Sequence, residues 1–412
     1  MILHRNESTV TPQPISAAAG VPSAEVKNIG LRGVTIADSA ICKVDGANGI
    51  LLYRGFDIKT LAQNATFEEV AHLLLRGKLP NPKELATFKK KLAEYRQLPA
   101  GIIAALQTIP AKAAPMDVLQ ALNSLLAAYD PDLTDESKEA NYRKGARLIA
   151  RFPLVVAAWH RIRQGLPVAE PDPSLSHAAA FLFALLGKEA TAEQVRNMDV
   201  ALTLHAEHSF NASTFTCRQI ASTRAHLYAS IGGAIGSLSG ELHGGANAQV
   251  YQMLKEVGHK DKVRDYVVRT LDEGGRIMGM GHAIYKVLDP RAQILGPMSK
   301  ALGEKSGDPI WYELSEEIQR VTKEEFKRRK GADINANVDF FSASVYHYMG
   351  IPVDLFTPIF AVSRVAGWAA HYIEEKFAEA APKPALYRPK AEYIGRYCGP
   401  EGCQWEDLDH RA

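Results

Sequence analysis

Phe67-Glu68-Glu69-Val70-Ala71-His72-Leu73-Leu74-Leu75 is helical in its period and runs into Gly77 and Pro80, two residues that stop a helix. The same period governs most of the downstream chain. Met116 to Ala128 repeats apolar residues at helical spacing, and Ser137 to Gly165 reads as one long helix or two joined near Pro153. Ser174 to Leu186 and Glu193 to His205 come next. The Ala, Ser and Gly content of Ala212 to Gly240 fits helices that approach closely. Lys262 to Leu271, Arg291 to Leu302 and Trp311 to Lys330 are amphipathic, and Val338 to Met349 and Pro358 to Lys376 close the helical part. Upstream, Val34 to Leu52 is short in pattern and broken by Gly46 and Gly49, as a small strand element would be. Helix and strand do not alternate regularly, which argues against a nucleotide-binding α/β sheet, and no fixed-period repeat is present. The expected fold class is mainly α, with a minor β element near the N-terminus.

The chain has 412 residues, enough for a large core in more than one domain. Apolar residues at 46% and charged residues at 23% are ordinary for a soluble globular protein. A net charge of +2 provides no field for gripping nucleic acid. The longest apolar run, Ala178 to Leu186, falls short of the roughly 18 residues of a membrane span. Cys42, Cys217, Cys398 and Cys403 are too few and scattered for a disulfide scaffold, so a reducing cytoplasm is the expected location. Residues 1–28 read as a loosely ordered arm, rich in Ser, Ala, Pro and Thr and lacking a secretory apolar core. Strong Gly breaks at Gly274-Gly275, Gly279, Gly281 and Gly350 set off a smaller unit, 241–350, from a larger one made of 29–240 and 351–412. If the smaller unit moves, those junctions are its hinges.

Three segments carry chemistry. His243 stands in Leu242-His243-Gly244-Gly245-Ala246-Asn247, where a helix begins, and the positive end of a helix disfavours imidazolium. A neutral imidazole there can donate to a carbonyl oxygen that gains charge. His282 lies in Gly279-Met280-Gly281-His282, whose glycines let backbone approach a ligand. It is not a dinucleotide fingerprint, since no strand precedes it. Asp339 comes after Asn337 and opens an apolar helix, where the first turn keeps a carboxylate ionised and able to act as a base. Each feature taken alone has a plainer explanation: a packing His, a tight turn, an N-cap Asp.

Their company matters more. Arg291, Arg364 and Arg388 lie further along the sequence, and several arginines at one pocket bind a dicarboxylate bidentately. Arg364 sits in an apolar run, which fits poorly with a solvated face. His205 and His208 are three apart and lack the His-Glu-x-x-His order of zinc proteases, so no metal site is expected. The Cys398 and Cys403 pair lacks partner ligands and reads as structural or incidental.

With these segments the chain resembles the citrate synthase family, which includes 2-methylcitrate synthases. The resemblance runs from about Gly30 to Gly395. Further matching segments are Tyr53-Arg54-Gly55, Phe67 to Val70, Leu204 to His208 with Asn211-Ala212-Ser213-Thr214, Asp289-Pro290-Arg291 and Tyr387-Arg388-Pro389, all in family order. It implies a two-domain helical homodimer whose small domain closes over the substrates. It implies oxaloacetate held by His208, His282, Arg291, Arg364 and Arg388, the last reaching across from the partner subunit. Coenzyme A is implied against the backbone of Gly275, Arg276, Ile277, Met278 and Gly279, with Asn337 nearby. The implied reaction is that of the tricarboxylic acid cycle enzyme: Asp339 enolises acetyl-CoA with His243 as donor, His282 polarises the ketone, and thioester hydrolysis releases citrate and CoA. The resemblance implies no metal or redox cofactor, since the coenzyme A thioester is a substrate. Two positions depart from the family pattern: Ala283 where many members have Arg, and Met280 where an aromatic residue is usual. The catalytic residues do not separate acetyl-CoA from propionyl-CoA. A non-catalytic metabolite-binding protein would require loss of a catalytic group, and none is lost.

Overall fold

The computed structural model describes residues 30–31, 33–395, 400, 401, 403, 405 and 407–410. The N-terminal arm and Cys398 lie outside these residues. Within residues 1–38, a separate contact unit, the described part is a turn closed by the Val34 N–H on Leu31 O. Residues 39–412 form the second unit.

The second unit opens with an antiparallel sheet of β1 (Cys42–Asp45), β2 (Ile50–Tyr53) and β3 (Phe56–Asp57), in register Cys42 to Tyr53 and Tyr53 to Phe56. Sixteen α-helices complete it among the described residues. They are α1 (Ile58–Asn64), α2 (Phe67–Arg76), α3 (Pro82–Tyr95), α4 (Ala100–Thr108), α5 (Pro115–Ala128), α6 (Lys138–Ile162), α7 (His177–Leu186) and α8 (Ala192–His205). Then come α9 (Ala212–Ser222), α10 (Leu227–Leu238), α11 (Ala246–Val257), α12 (Val263–Asp272), α13 (Ala292–Ser306), α14 (Ile310–Lys330), α15 (Val338–Tyr348) and α16 (Phe356–Lys376). The mainly helical expectation holds. The strand element begins at Cys42 rather than Val34, and α6 is one helix that carries Pro153 inside it.

Local chemistry explains the ends. Thr66 and Glu69 form a capping box at the start of α2, and Gly77 ends it in the left-handed region. The adjacent Glu68 is spent on structure, accepting the His177 N–H at the start of α7 at 3.0 Å. Much of α2 is therefore scaffold. At the centre lies α16, buried along nearly its whole length and packed on α2, α6, α8, α9 and α10. Trp368 at its middle is wholly buried. Helices α11 to α15 pack mainly on one another. Cys42 and Cys217 are free thiols, and Cys403 is disulfide-bonded. No helix among the described residues is long and apolar enough to cross a membrane.

Candidate active site

His243 occupies the turn before α11, but its ring serves a different helix. The Ser213 N–H, in the first turn of α9, donates to Nε2 at 3.2 Å. An amide N–H cannot accept, so Nε2 is the acceptor and Nδ1 carries the proton. Ser213 Oγ also lies 2.8 Å from Nε2 and takes the Trp368 indole N–H at 3.1 Å, which ties the arrangement to α16. Thr357 Oγ1 donates to Gly244 O and holds the turn from the same helix. Burial first, then the Arg364 guanidinium, lowers the His243 pKa to about 4. The expected neutral imidazole is there. Its cause is burial, and the helix end it faces is that of α9.

His282 is held in the same manner. The amides of Ile284 and Tyr285 both donate to its Nδ1, at 3.0 and 3.1 Å, leaving the proton on Nε2. Burial, with Arg291 next, puts its pKa at about 4. Each of these two imidazoles is therefore neutral near pH 7 and has one N–H to offer.

Asp339 sits in the first turn of α15, two residues past the N-cap. The cap is Asn337, whose Oδ1 accepts the Asp339 N–H at 3.0 Å. The Asp339 Oδ1 is buried and has no hydrogen-bond partner among the described residues. Burial pushes its pKa up to about 7 against the pull of Arg291. A helix start alone would keep this carboxylate fully ionised, as the sequence suggests. The structure corrects that expectation: loss of water outweighs the helix end, and the group is poised near neutrality, where a general base works best.

Asp339 and His282 are zipped together. Met280 and Ala336 form an antiparallel bridge, the Gly281 N–H donates to Asn335 O at 2.8 Å, and the Asn337 N–H donates to Gly279 O at 2.9 Å. Asn337 Nδ2 adds a bond to Gly281 O at 2.9 Å. This pairing needs glycine: Gly279 and Gly281 have φ of 74° and 90°. A Cβ on Gly279 would stand 2.7 Å from Val250 and 2.8 Å from Phe340. Of the neighbouring residues expected at coenzyme A, Gly275 and Arg276 are exposed, Met278 is half-buried, and Ile277 and Gly279 are buried.

Around these three groups lie a further histidine and two arginines. His208 is buried with its ring 5.3 Å from that of His282, and burial, Arg291 and His282 hold its pKa well below the usual value. Arg291 is 2% exposed, with one edge spent on Asp289: Nε to Oδ1 at 3.0 Å and Nη2 to Oδ2 at 2.7 Å. Only its other edge is left for a bidentate partner. Arg364 is 1% exposed and donates Nε to His205 O at 2.7 Å, with its guanidinium 4.7 Å from the Phe360 ring. Among the described residues no carboxylate comes within ion-pair distance of it. A buried guanidinium without a counter-ion is costly, and an anionic ligand would relieve that cost. His208 feels the charges of Arg291, His282, Arg364 and His243, and Asp339 feels those of Arg291 and Arg364, so the two arginines link all these groups. Arg388 is not among them; it is exposed. His205 is buried, with Nδ1 on Ala201 O, and it too feels the charges of Arg291 and Arg364.

Sequence reasoning missed two supports. Tyr285 is buried and places its hydroxyl 3.2 Å from His208 Nε2. Ser213 fixes the His243 tautomer. Both lie close to residues that the sequence does single out, yet nothing in a one-dimensional reading pairs 285 with 208 or 213 with 243. A cavity of about 1760 Å³ lined by Glu68, Arg96 and Phe183 shares no residue with the cluster. The convergent polar groups, rather than cavity size, mark the site.

Comparison with known proteins shows the family to which the fold belongs. The family model described as citrate synthase, C-terminal domain, matches residues 30–390. A citrate synthase from Haloferax volcanii is 46% identical over 380 residues, covering 90% of this chain and 97% of the relative. A 2-methylcitrate synthase from Shewanella oneidensis is 40% identical over 369 residues, covering 89% of this chain and 94% of the relative. Among solved structures, the ternary complex of carboxymethyl coenzyme A and oxaloacetate with citrate synthase from Thermoplasma acidophilum superposes with a TM-score of 0.85 at 31% identity, covering 93% of this chain and 98% of that one. A family match across most of the chain, with a relative 46% identical over 380 residues, places this chain in the citrate synthase family, as an enzyme that transfers an acyl group.

Proposed function

We propose that this chain condenses acetyl-CoA with oxaloacetate and water to give citrate and CoA. Asp339 takes a proton from the acetyl methyl while the His243 Nδ1–H donates to the thioester oxygen. A thioester is a weak carbon acid, so base and donor act together. The His282 Nε2–H polarises the ketone of oxaloacetate as the enol carbon attacks. His208, Arg291 and Arg364 hold the dicarboxylate. Hydrolysis of the citryl thioester completes the turnover. The observation that carries this reading is a poised Asp339 carboxyl and two neutral imidazole donors linked through Arg291 and Arg364, the latter without an ion pair among the described residues.

The backbone of 275–279 and Asn337 are the proposed coenzyme A contacts. The 241–350 segment is the proposed closing unit, excluding water until the carbon–carbon bond has formed. Arg388 is the proposed contribution of a second copy in a homodimer. The proposed setting is the tricarboxylic acid cycle of the cytoplasm.

A thiol-release assay with acetyl-CoA and oxaloacetate tests the reaction, and absence of CoA-SH release refutes it. The same assay should show kcat/KM falling on an acid limb near pH 7, one proton deep, as Asp339 is protonated. The His243 and His282 rings, titrating near 4, stay neutral across that limb. An acid limb only below pH 5 would exclude Asp339 as the titrating base. Propionyl-CoA is the comparison substrate. One methylene changes binding by about 1–3 kcal/mol, so the ratio of the two kcat/KM values decides between citrate and 2-methylcitrate.

The shared site has its own test. Asp339→Ala and Arg388→Ala chains should each be inactive or impaired alone. Mixed, they should recover activity, because one site of the heterodimer keeps both groups. No recovery, with heterodimers shown to form, would exclude Arg388 acting across the interface.

A further inference from the structure

A line of polar side chains, buried as far as Glu375 and half-buried at Tyr387, leaves the site and ends beside Arg388. Glu207 directly precedes His208 in the chain and is wholly buried. Its Oε1 stands 2.9 Å from Nε2 of His371 on α16. Across the ring, Nδ1 lies 3.0 Å from Nη1 of Arg218 on α9. A guanidinium N–H only donates, so Nδ1 accepts and Nε2–H is given to Glu207. Arg218 is 3% exposed and reaches two more carboxylates: Nη1 to Glu374 Oε2 at 2.6 Å and Nη2 to Glu375 Oε2 at 2.7 Å. That same Glu375 Oε2 accepts the Tyr387 hydroxyl at 2.8 Å. Phe210 seals the middle, 4.6 Å from the Arg218 guanidinium and edge-on to His371 at 5.7 Å.

Both ends bear on the dicarboxylate. At the inner end, Arg364, His371 and Glu375 lie at i, i+7 and i+11 of α16, which puts them on one helix face. Glu207 is the foremost charge opposing the effect of burial on Arg364, and its Oε2 has no hydrogen-bond partner among the described residues. At the outer end, Tyr387 is fixed three ways: by Glu375, by its N–H on Ser222 Oγ at 3.3 Å, and by its ring against Phe215 at 6.0 Å. The next residue, Arg388, is exposed and has no hydrogen-bond or ion-pair partner among the described residues. The chain thus anchors residue 387 firmly and leaves the adjacent guanidinium unengaged.

We propose that the line Glu207–His371–Arg218–Glu375–Tyr387 positions Arg388 and links it to the dicarboxylate pocket of its own chain. The proposal rests on the reading that Arg388 completes the pocket of a second copy. On that reading the line joins two pockets: a dicarboxylate bound at Arg364 changes the charge balance that Glu207 feels. The seat of Tyr387, and so the arginine lent to the neighbouring site, responds. Such coupling is reciprocal between the sites. Tyr387 and Arg218 are positioning residues in this scheme, acting through Arg388.

Tyr387→Phe removes one hydroxyl and keeps the ring on Phe215. The KM for oxaloacetate should rise about tenfold, the lower end for a hydrogen bond to a charged acceptor, with kcat and the KM for acetyl-CoA within about twofold. The thermal midpoint should not move. Arg218→Lys keeps the charge but cannot span both carboxylates, and should give the same selective rise where it folds. Arg388→Ala is the reference, and the double variant with Tyr387→Phe should be no worse than Arg388→Ala alone. If Arg388→Ala leaves the oxaloacetate KM unchanged, the reading of Arg388 is wrong and the proposal fails with it. If Arg388→Ala raises KM while Tyr387→Phe does not, or if the two effects add, the proposal alone is overturned.

Discussion

Replacing Asp339 with Asn should lower kcat by roughly 10²–10⁴-fold, the usual contribution of a positioned base, and leave oxaloacetate affinity within about twofold. Asn keeps the shape of the side chain and cannot take a proton from the acetyl methyl. Oxaloacetate binding should survive because, in the proposed scheme, the arginines and not the carboxylate hold the ketoacid. Stability should move the other way. The folded pKa of Asp339, about 7, lies above the ordinary aspartate value of 3.8, so between these values the folded state binds more protons than the unfolded one. Stability therefore falls as pH rises through that window and is lowest above it. Asn abolishes the slope, so the variant should melt higher than the parent at pH 8 and show no such gain at pH 4. Oxaloacetate titrations and melting curves at the two pH values read both effects. Loss of oxaloacetate affinity comparable to the loss of kcat would show that Asp339 is a binding residue.

Replacing Arg364 with Leu should raise the KM for oxaloacetate by roughly 100-fold or more. Removing one partner of a buried charge pair costs about 3–5 kcal/mol, and about 3 kcal/mol is already two decades in affinity. The substrate carboxylate is the partner left behind. In the free enzyme the balance differs: among the described residues Arg364 has no ion pair to lose, and its Nε bond to His205 O and its packing on the Phe360 ring are the contacts forfeited. The melting temperature without substrate should therefore fall little or rise, while the stabilisation that oxaloacetate confers on the parent should vanish. A thermal shift titrated with oxaloacetate separates the two. A variant that melts far below the parent yet binds oxaloacetate normally would make Arg364 a structural arginine.

Much of this is legible in the sequence, for reasons that differ by residue. Helical period and stop residues carry the fold, because α2 ends where Gly77 permits a left-handed turn and most of the buried length of α16 is apolar. The arginines proposed to hold the dicarboxylate stand out by type and setting, Arg364 above all, because a guanidinium in an apolar run needs a partner. The proton states are less legible. Asp339 at a helix start reads as ionised, yet burial reverses the sign, and burial is a property of the packed chain. His243 reads as a neutral imidazole, as its lowered pKa agrees, but beside the wrong helix, since the α9 N-terminus comes to it from 30 residues upstream. Tyr285, Ser213 and the line through His371 depend on contacts between distant positions, which a single sequence does not encode in its period or composition.

The way the two imidazoles are locked has a consequence for mutational tolerance. Both acceptor nitrogens are tied by main-chain amides: Ser213 for His243, and Ile284 with Tyr285 for His282. Nearly every amino acid brings the same amide to those positions, so side-chain drift there leaves the direction of proton donation intact. Only proline deletes the donor. For His282 even one proline would leave the second amide in place. The polarity of the site is thus secured by backbone that almost any codon supplies, while the side chains around it stay free to retune which acyl group fits.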